Sequence, residues 1–97
     1  MTLQVLLNGA PVPQLVSLKS DTSTIAVFTV VSDYPHAAGS PVSVEADSLI
    51  NIDQVSGVLD GTGRWSFTVG PGMLAKGRVV MEVTASGHKV SWDLRFN

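Results

Sequence analysis

The residues of this chain that could do chemistry are few, and the most suggestive group is Asp60-Gly-Thr-Gly63, followed by Arg64-Trp-Ser-Phe67. A dinucleotide fingerprint would need a third glycine three residues further on and a helix behind it, so that backbone amides open onto a pyrophosphate. Position 66 is Ser, and the run behind the turn alternates apolar with polar, which is strand periodicity. A P-loop would need Lys and then Ser or Thr after its last glycine, where this chain has Arg64 and Trp65. A calcium loop needs several oxygen ligands at alternating positions; only Asp53 and Asp60 stand nearby, and no acid closely follows Gly63. Weak calcium binding is the lesser reading beside a plain turn in which glycine supplies a positive φ.

The other reactive side chains are dispersed. His36 and His88 each sit beside a turn, and with no cysteine in the chain nothing of the usual kind converges on them as a third metal ligand. They read as solvated loop histidines, and no metal or other cofactor is expected. Many serines are present but none lies in a Gly-x-Ser-x-Gly elbow, so no nucleophile is singled out. Glu45 and Asp47 are two apart on a strand and share one face. With Ser43 they form the polar side of a half-buried strand, in a chain small for the cleft that paired-carboxylate chemistry needs. Aromatics give the better hint. Trp65 and Trp92 fall on the apolar phase of their strands, where core packing is the expected role and the indole N–H needs a partner. The functional reading makes Trp65, Trp92 and loop residue Tyr34 a platform for sugar rings.

These residues have to be positioned by strands. The chain has 97 residues, 44% hydrophobic and 14% charged, rich in Val, Ser, Thr and Gly, a mixture that suits strands and turns. One domain over residues 1–97 is expected. The net charge of −2 gives no basic face for nucleic acid. One base stands against five acids up to Leu59, and five bases against three acids from Asp60 onward; this reads as a mixed solvated surface. No stretch is long and apolar enough to insert in a membrane. The opening Met-Thr-Leu-Gln-Val-Leu-Leu does not read as a signal peptide, leaving open a soluble protein or a domain from a longer secreted one.

Period-two runs recur about every ten residues: Leu3–Leu7, Thr24–Val31, Val42–Asp47, Arg64–Val69, Val79–Ala85 and Val90–Phe96. Between them lie Asn8-Gly9, Asp33-Tyr-Pro35, Gly39-Ser-Pro41, Asp60-Gly61, Gly70-Pro-Gly72 and Ser86-Gly87. Thr24–Val31 is apolar on both faces and predicts a central strand covered on both sides. Leu49–Val55 predicts a weak extra strand, and Met73–Lys76 is the one stretch that could make a helical turn. Pro11 and Pro13 predict a break between two short edge pieces.

A strand ending near Asp33, a loop leading to Pro41-Val42, the Asp60-Gly-Thr-Gly63 turn before a strand, and Gly77-Arg-Val-Val-Met-Glu-Val-Thr-Ala85 follow one another. This order resembles the bacterial immunoglobulin-like domains of the invasin and intimin type, over roughly residues 24–85. The two prolines of the first segment and the aromatic last strand depart from that pattern. The resemblance implies a structural or adhesive module with no catalytic residues, in which Asp33, Pro41, Asp60, Gly63 and Gly77 form turns. The expectation is an all-β, immunoglobulin-like β-sandwich of about seven antiparallel strands, non-enzymatic, on a bacterial surface or phage particle. It would bind a protein or glycan partner through Tyr34, His36, Trp65 and Trp92, with the Asp33–Gly39 and Gly70–Gly77 loops presented to that partner. The carbohydrate-binding module is the alternative, and a homo-oligomer through an exposed edge strand is a third reading.

Overall fold

The structure, a computed structural model, describes residues 2–18, 25–46, 52–70 and 77–96. All the regular structure in them is strand: β1 (Leu3–Leu7), β2 (Ala10–Pro11), β3 (Leu15–Leu18), β4 (Ala26–Ser32), β5 (Pro41–Ala46), β6 (Ser56–Val58), β7 (Arg64–Val69), β8 (Gly77–Ala85) and β9 (His88–Phe96). They form two sheets, β2-β1-β4-β7 and β3-β9-β8-β5-β6. Thr24, Asp47, the first part of Leu49–Val55, the Met73–Lys76 turn and most of the Gly70–Gly77 loop lie outside the described residues.

This is the all-β sandwich that the strand spacing predicts, of the immunoglobulin-like form that the resemblance implies. It has more strands than the expected seven because the first segment is divided. Asn8 and Gly9, both at positive φ (53° and 85°), make the tight hairpin turn that joins β1 to β2. Pro11 and Pro13 then end that strand, and the chain crosses to the other sheet, where β3 runs along β9. That pairing is parallel, the one departure from the antiparallel pattern among the described strand pairs. The described part of the weak Leu49–Val55 segment contributes a single bridge, Ile52 to Val69, and the strand proper begins one residue after it, at Ser56.

Period-two patterning places one phase of the longer strands in the core: Val5, Ala26, Phe28, Val30, Val42, Val44, Phe67, Val69, Met81, Val83, Trp92 and Leu94 are all buried. The rings stack from sheet to sheet. Phe28 lies 5.3 Å from Phe67, its antiparallel neighbour on β7, and 5.3 Å from Trp92 on β9 of the facing sheet. One expectation fails here. β4 is central in its sheet but covered on one side only, with Val27 42% and Ile25 56% exposed. Its second apolar face is the outer face of the sandwich, where Val27 sits opposite Thr68 and the Thr29 and Ser66 hydroxyls meet at 3.1 Å. β-branched residues suit a pleated backbone whether or not they are covered, so strand propensity imitated a buried face.

The two faces of β4 should therefore respond differently to one change. Val27→Thr is expected to alter stability by less than about 0.5 kcal/mol, whereas Val30→Thr, which buries an unpartnered hydroxyl, should cost about 1–3 kcal/mol. Urea denaturation of both variants checks this, and equal losses would contradict the exposure assigned to Val27.

Candidate functional site

The Asp60 corner is a turn built by its own side chain. Asp60 Oδ1 accepts hydrogen bonds from the Thr62 N–H at 2.8 Å, the Thr62 hydroxyl at 2.6 Å and the Arg64 N–H at 3.1 Å. Gly63 N–H donates to the Asp60 carbonyl at 3.0 Å, and Asp60 N–H to the Arg64 carbonyl at 2.9 Å. The carboxylate already answers three donors from the protein, which is the arrangement of an Asx turn and not of a cation loop. Those bonds, the Thr62 hydroxyl first, hold the Asp60 carboxyl below the usual aspartate range. Gly63 is required twice over: its φ is +76°, and a Cβ there would overlap the Ser32 carbonyl oxygen. That close approach ties the corner to the end of β4, since Ser32 N–H donates to the Gly63 carbonyl at 2.9 Å.

The Asp33–Gly39 loop leans on this corner. Gly39 N–H donates to the Leu59 carbonyl at 2.8 Å and Leu59 N–H to the Ser40 carbonyl at 2.9 Å. Asp33 is held from the other side by the backbone N–H of Thr2. The loop contains two successive turns of similar form. In Tyr34-Pro-His-Ala37, Ala37 N–H donates to the Tyr34 carbonyl at 3.2 Å, and His36 stands third with φ +63°. In Ala37-Ala-Gly-Ser40, Ser40 N–H donates to the Ala37 carbonyl at 3.0 Å, and Gly39 stands third with φ +83°. The second turn has glycine where a positive φ demands it; the first has histidine. Holding a non-glycine residue in the left-handed region costs about 1–2 kcal/mol.

Between loop and corner lies an open hollow of about 260 Å³, walled by Asp33, Tyr34, His36, Gly61, Thr62 and Gly63. The Tyr34 ring stacks on His88 at 4.1 Å with 8° between planes, so the β4–β5 loop and the β8–β9 turn meet at this end. His88 is exposed, as is His36; Tyr34 is half-buried. Nothing in the sequence pairs Tyr34 with His88, because only the sandwich brings their two connections to one end.

The expected platform of sugar-stacking aromatics is not assembled. Trp92 is 1% exposed, enclosed in the core beside Phe28, and cannot touch a ligand. Its indole N–H is buried with no hydrogen-bond partner among the described residues, so the partner expected for it is not found there. Trp65 is half-buried, tilted against Phe67 at 5.7 Å, and its indole lies where a side chain on Gly57 would project. Of the four candidate contact residues, the fold places Tyr34 and His36 on one loop and leaves both Trp residues to packing. Glu45 faces Glu82 across β5 and β8, and Lys89 reaches Glu82 at 2.9 Å. The Glu82 hydrogen bond and charge raise the Lys89 pKa. Among the described residues no group of three His, Cys, Asp or Glu is placed to hold a metal ion.

No protein-family model matches the sequence, and no curated protein matches it. Solved structures do share the fold. The D00-D0 fragment of intimin superposes with a TM-score of 0.62 at 19% identity over 82% of this chain, which spans 40% of that fragment. Domains 4 and 5 of the S-layer protein SbsC give 0.58 at 14% identity over 98% of this chain and 52% of that one. The C. elegans MSP family member WR4 gives 0.64 at 9% identity over 97% and 98%. The chain is thus similar in fold to the immunoglobulin-like domains of intimin, the class its turn order resembles.

Two measurements test the corner. Gly63→Ala should destabilise by about 1–3 kcal/mol from strain and the close approach, while Gly61→Ala, at a position open to solvent, should be nearly neutral. Asp60 has a folded pKa below its unfolded one, so its stabilisation is full above the unfolded value, about 4, and is lost as pH falls through the folded value. Asp60→Asn should flatten the acid limb of the stability–pH profile in that window; an unchanged limb would refute the turn's role.

Proposed function

We propose that this chain is a non-enzymatic interaction module of a bacterial surface or phage particle protein, one unit over residues 1–97. It presents the Tyr34–His36 loop and the adjoining hollow to a protein or glycan partner. One observation carries the reading: His36 occupies a strained left-handed position where its sister turn has Gly39. Strain held in place by a well-bonded surround is characteristic of sites that present a side chain to something else. Here the side chain is a donor–acceptor imidazole, exposed at the rim of a hollow whose other walls offer a carboxylate, a phenol and a threonine hydroxyl. Loops on a rigid sandwich are where such folds carry recognition. The fold shared with intimin and S-layer domains supports a surface location and an adhesive or structural role.

The carbohydrate-binding reading is narrowed by the burial of Trp92. It now rests on Tyr34 and the hollow, whose polar rim suits hydroxyl groups, with Trp65 as a half-buried neighbour of the adjacent strand.

His36→Gly separates strain from fold. It should raise stability by about 0.5–1 kcal/mol, the relief of the left-handed residue less the added freedom of glycine. The same variant, and Tyr34→Ala, should lower binding of the labelled domain to intact bacterial or host cells or to a glycan array. A more stable His36→Gly domain that binds every target as well as the parent would overturn the proposal, and a signal confined to one glycan class would favour the sugar reading.

A further inference from the structure

We propose that the chain pairs with a second copy of itself, edge to edge along β6, joining two five-stranded sheets into one. The inference is independent of the Tyr34 loop and rests on how differently the fold treats two neighbouring edge strands.

The outer edge of β7 is closed. Asp60 holds both backbone groups of Arg64, accepting its N–H at 3.1 Å on the carboxylate and donating to its carbonyl at 2.9 Å. The Gln54 side-chain amide donates to the Ser66 carbonyl at 3.0 Å. The Asp53 carboxylate accepts the Thr68 N–H at 2.8 Å, and Asp53 N–H donates to the Thr68 carbonyl at 3.2 Å. A strand capped in this way cannot template another.

β6 ends the other sheet, and among the described residues nothing covers it. Its bonds to β5 run through alternate residues. Val44 N–H donates to the Val55 carbonyl at 2.8 Å, Leu59 N–H donates to the Ser40 carbonyl at 2.9 Å, and Gly57 stands opposite Val42 between them. Antiparallel alternation then turns the N–H and C=O groups of Ser56 and Val58 away from the sheet. The stretch Gln54-Val-Ser-Gly-Val-Leu59 has no charge and no proline, the usual devices that blunt an open edge. Val55 and Val58 are 54% and 55% exposed.

The edge is complementary to itself. A two-fold axis at Gly57 sets Ser56 of one copy against Val58 of the second and the reverse, each pair exchanging two N–H···O=C bonds, about four in all. The seam itself, Ser56 to Val58, carries no charge, so no charge meets a like charge across it. An extended segment of an unrelated protein is the rival occupant, but it would have to supply the matching spacing that a second copy supplies by symmetry.

The chain has no cysteine, which permits a register-specific test. Ser56→Cys and Val58→Cys chains are prepared separately and oxidised alone or mixed. Hydrogen-bonded cross-strand Cα atoms lie about 5.5 Å apart, within disulfide reach, so the mixture should form covalent dimer several-fold faster than either variant alone. In sedimentation velocity the parent's mass should climb from 10.2 kDa toward twice that with concentration. Val58→Pro removes one outward N–H without touching the β5 ladder and should abolish the climb. If that variant fails to fold, Val58→Lys, which places charge at the seam, should do the same. A mixture that cross-links no faster than its components, or a parent that stays at monomer mass at millimolar concentration even while binding extended peptides, overturns the proposal.

Discussion

The packing of Phe28 is the constraint on which the rest of this structure depends. Its ring lies against Phe67 within its own sheet and against Trp92 in the facing one, so one side chain sets both the register of β4 on β7 and the seat of one sheet over the other. The chain has no cysteine, so no disulfide ties the sheets together; buried aromatic area and offset ring packing hold them face to face. Because β4 and β9 are held at their middles, the ends are free to carry turns whose geometry is not dictated by the core. The strained loop, the hollow and the Tyr34–His88 stack all lie at such an end.

The second organising feature is the segment Ile52–Asp60, which serves both sheets in turn. It touches Val69, caps the outer edge of β7 with Asp53 and Gln54, continues as β6 beside β5, and ends as the Asx corner that returns to β7. A short stretch of chain thereby closes one edge with side chains and leaves the next strand outermost. Gly57 leaves room for the Trp65 indole, which lies where a Cβ would project. Trp65 stays half-buried on the outermost strand of its sheet, while Trp92 on an inner strand is sealed.

Much of this was legible in the residues, and what was not has physical reasons. Period-two alternation located β1, β5, β7, β8 and β9, because alternation is imposed by the pleat itself. The Asp60 corner could be read as a turn from its missing third glycine and the strand behind it. Pro11 and Pro13 announced the break at which the chain changes sheets. Alternation could not say which apolar phase faces a second layer, so Val27 and Ile25 were expected under cover and stand in solvent. It also could not separate Trp65 from Trp92, since both occupy the inward phase; only the place of each strand in its sheet distinguishes them. The Tyr34–His88 stack and the Asp53 cap join distant or irregular positions, and no local pattern encodes them.

The parallel pairing of β3 with β9 bears on how the domain responds to tension. Leu15 aligns with Asp93 and Leu18 with Phe96, so strands near the two ends of the chain lie side by side and point the same way. Once β1 has parted from β4, a pull that separates those ends drags β3 back along its axis while β9 is drawn forward, sliding one past the other. The hydrogen bonds between them are then loaded together in shear, instead of one after another as in an unzipped hairpin. A domain linked at both ends into a longer fibre would therefore meet the force that survives the loss of β1 with the whole β3–β9 ladder at once, and would yield abruptly when that ladder gives way.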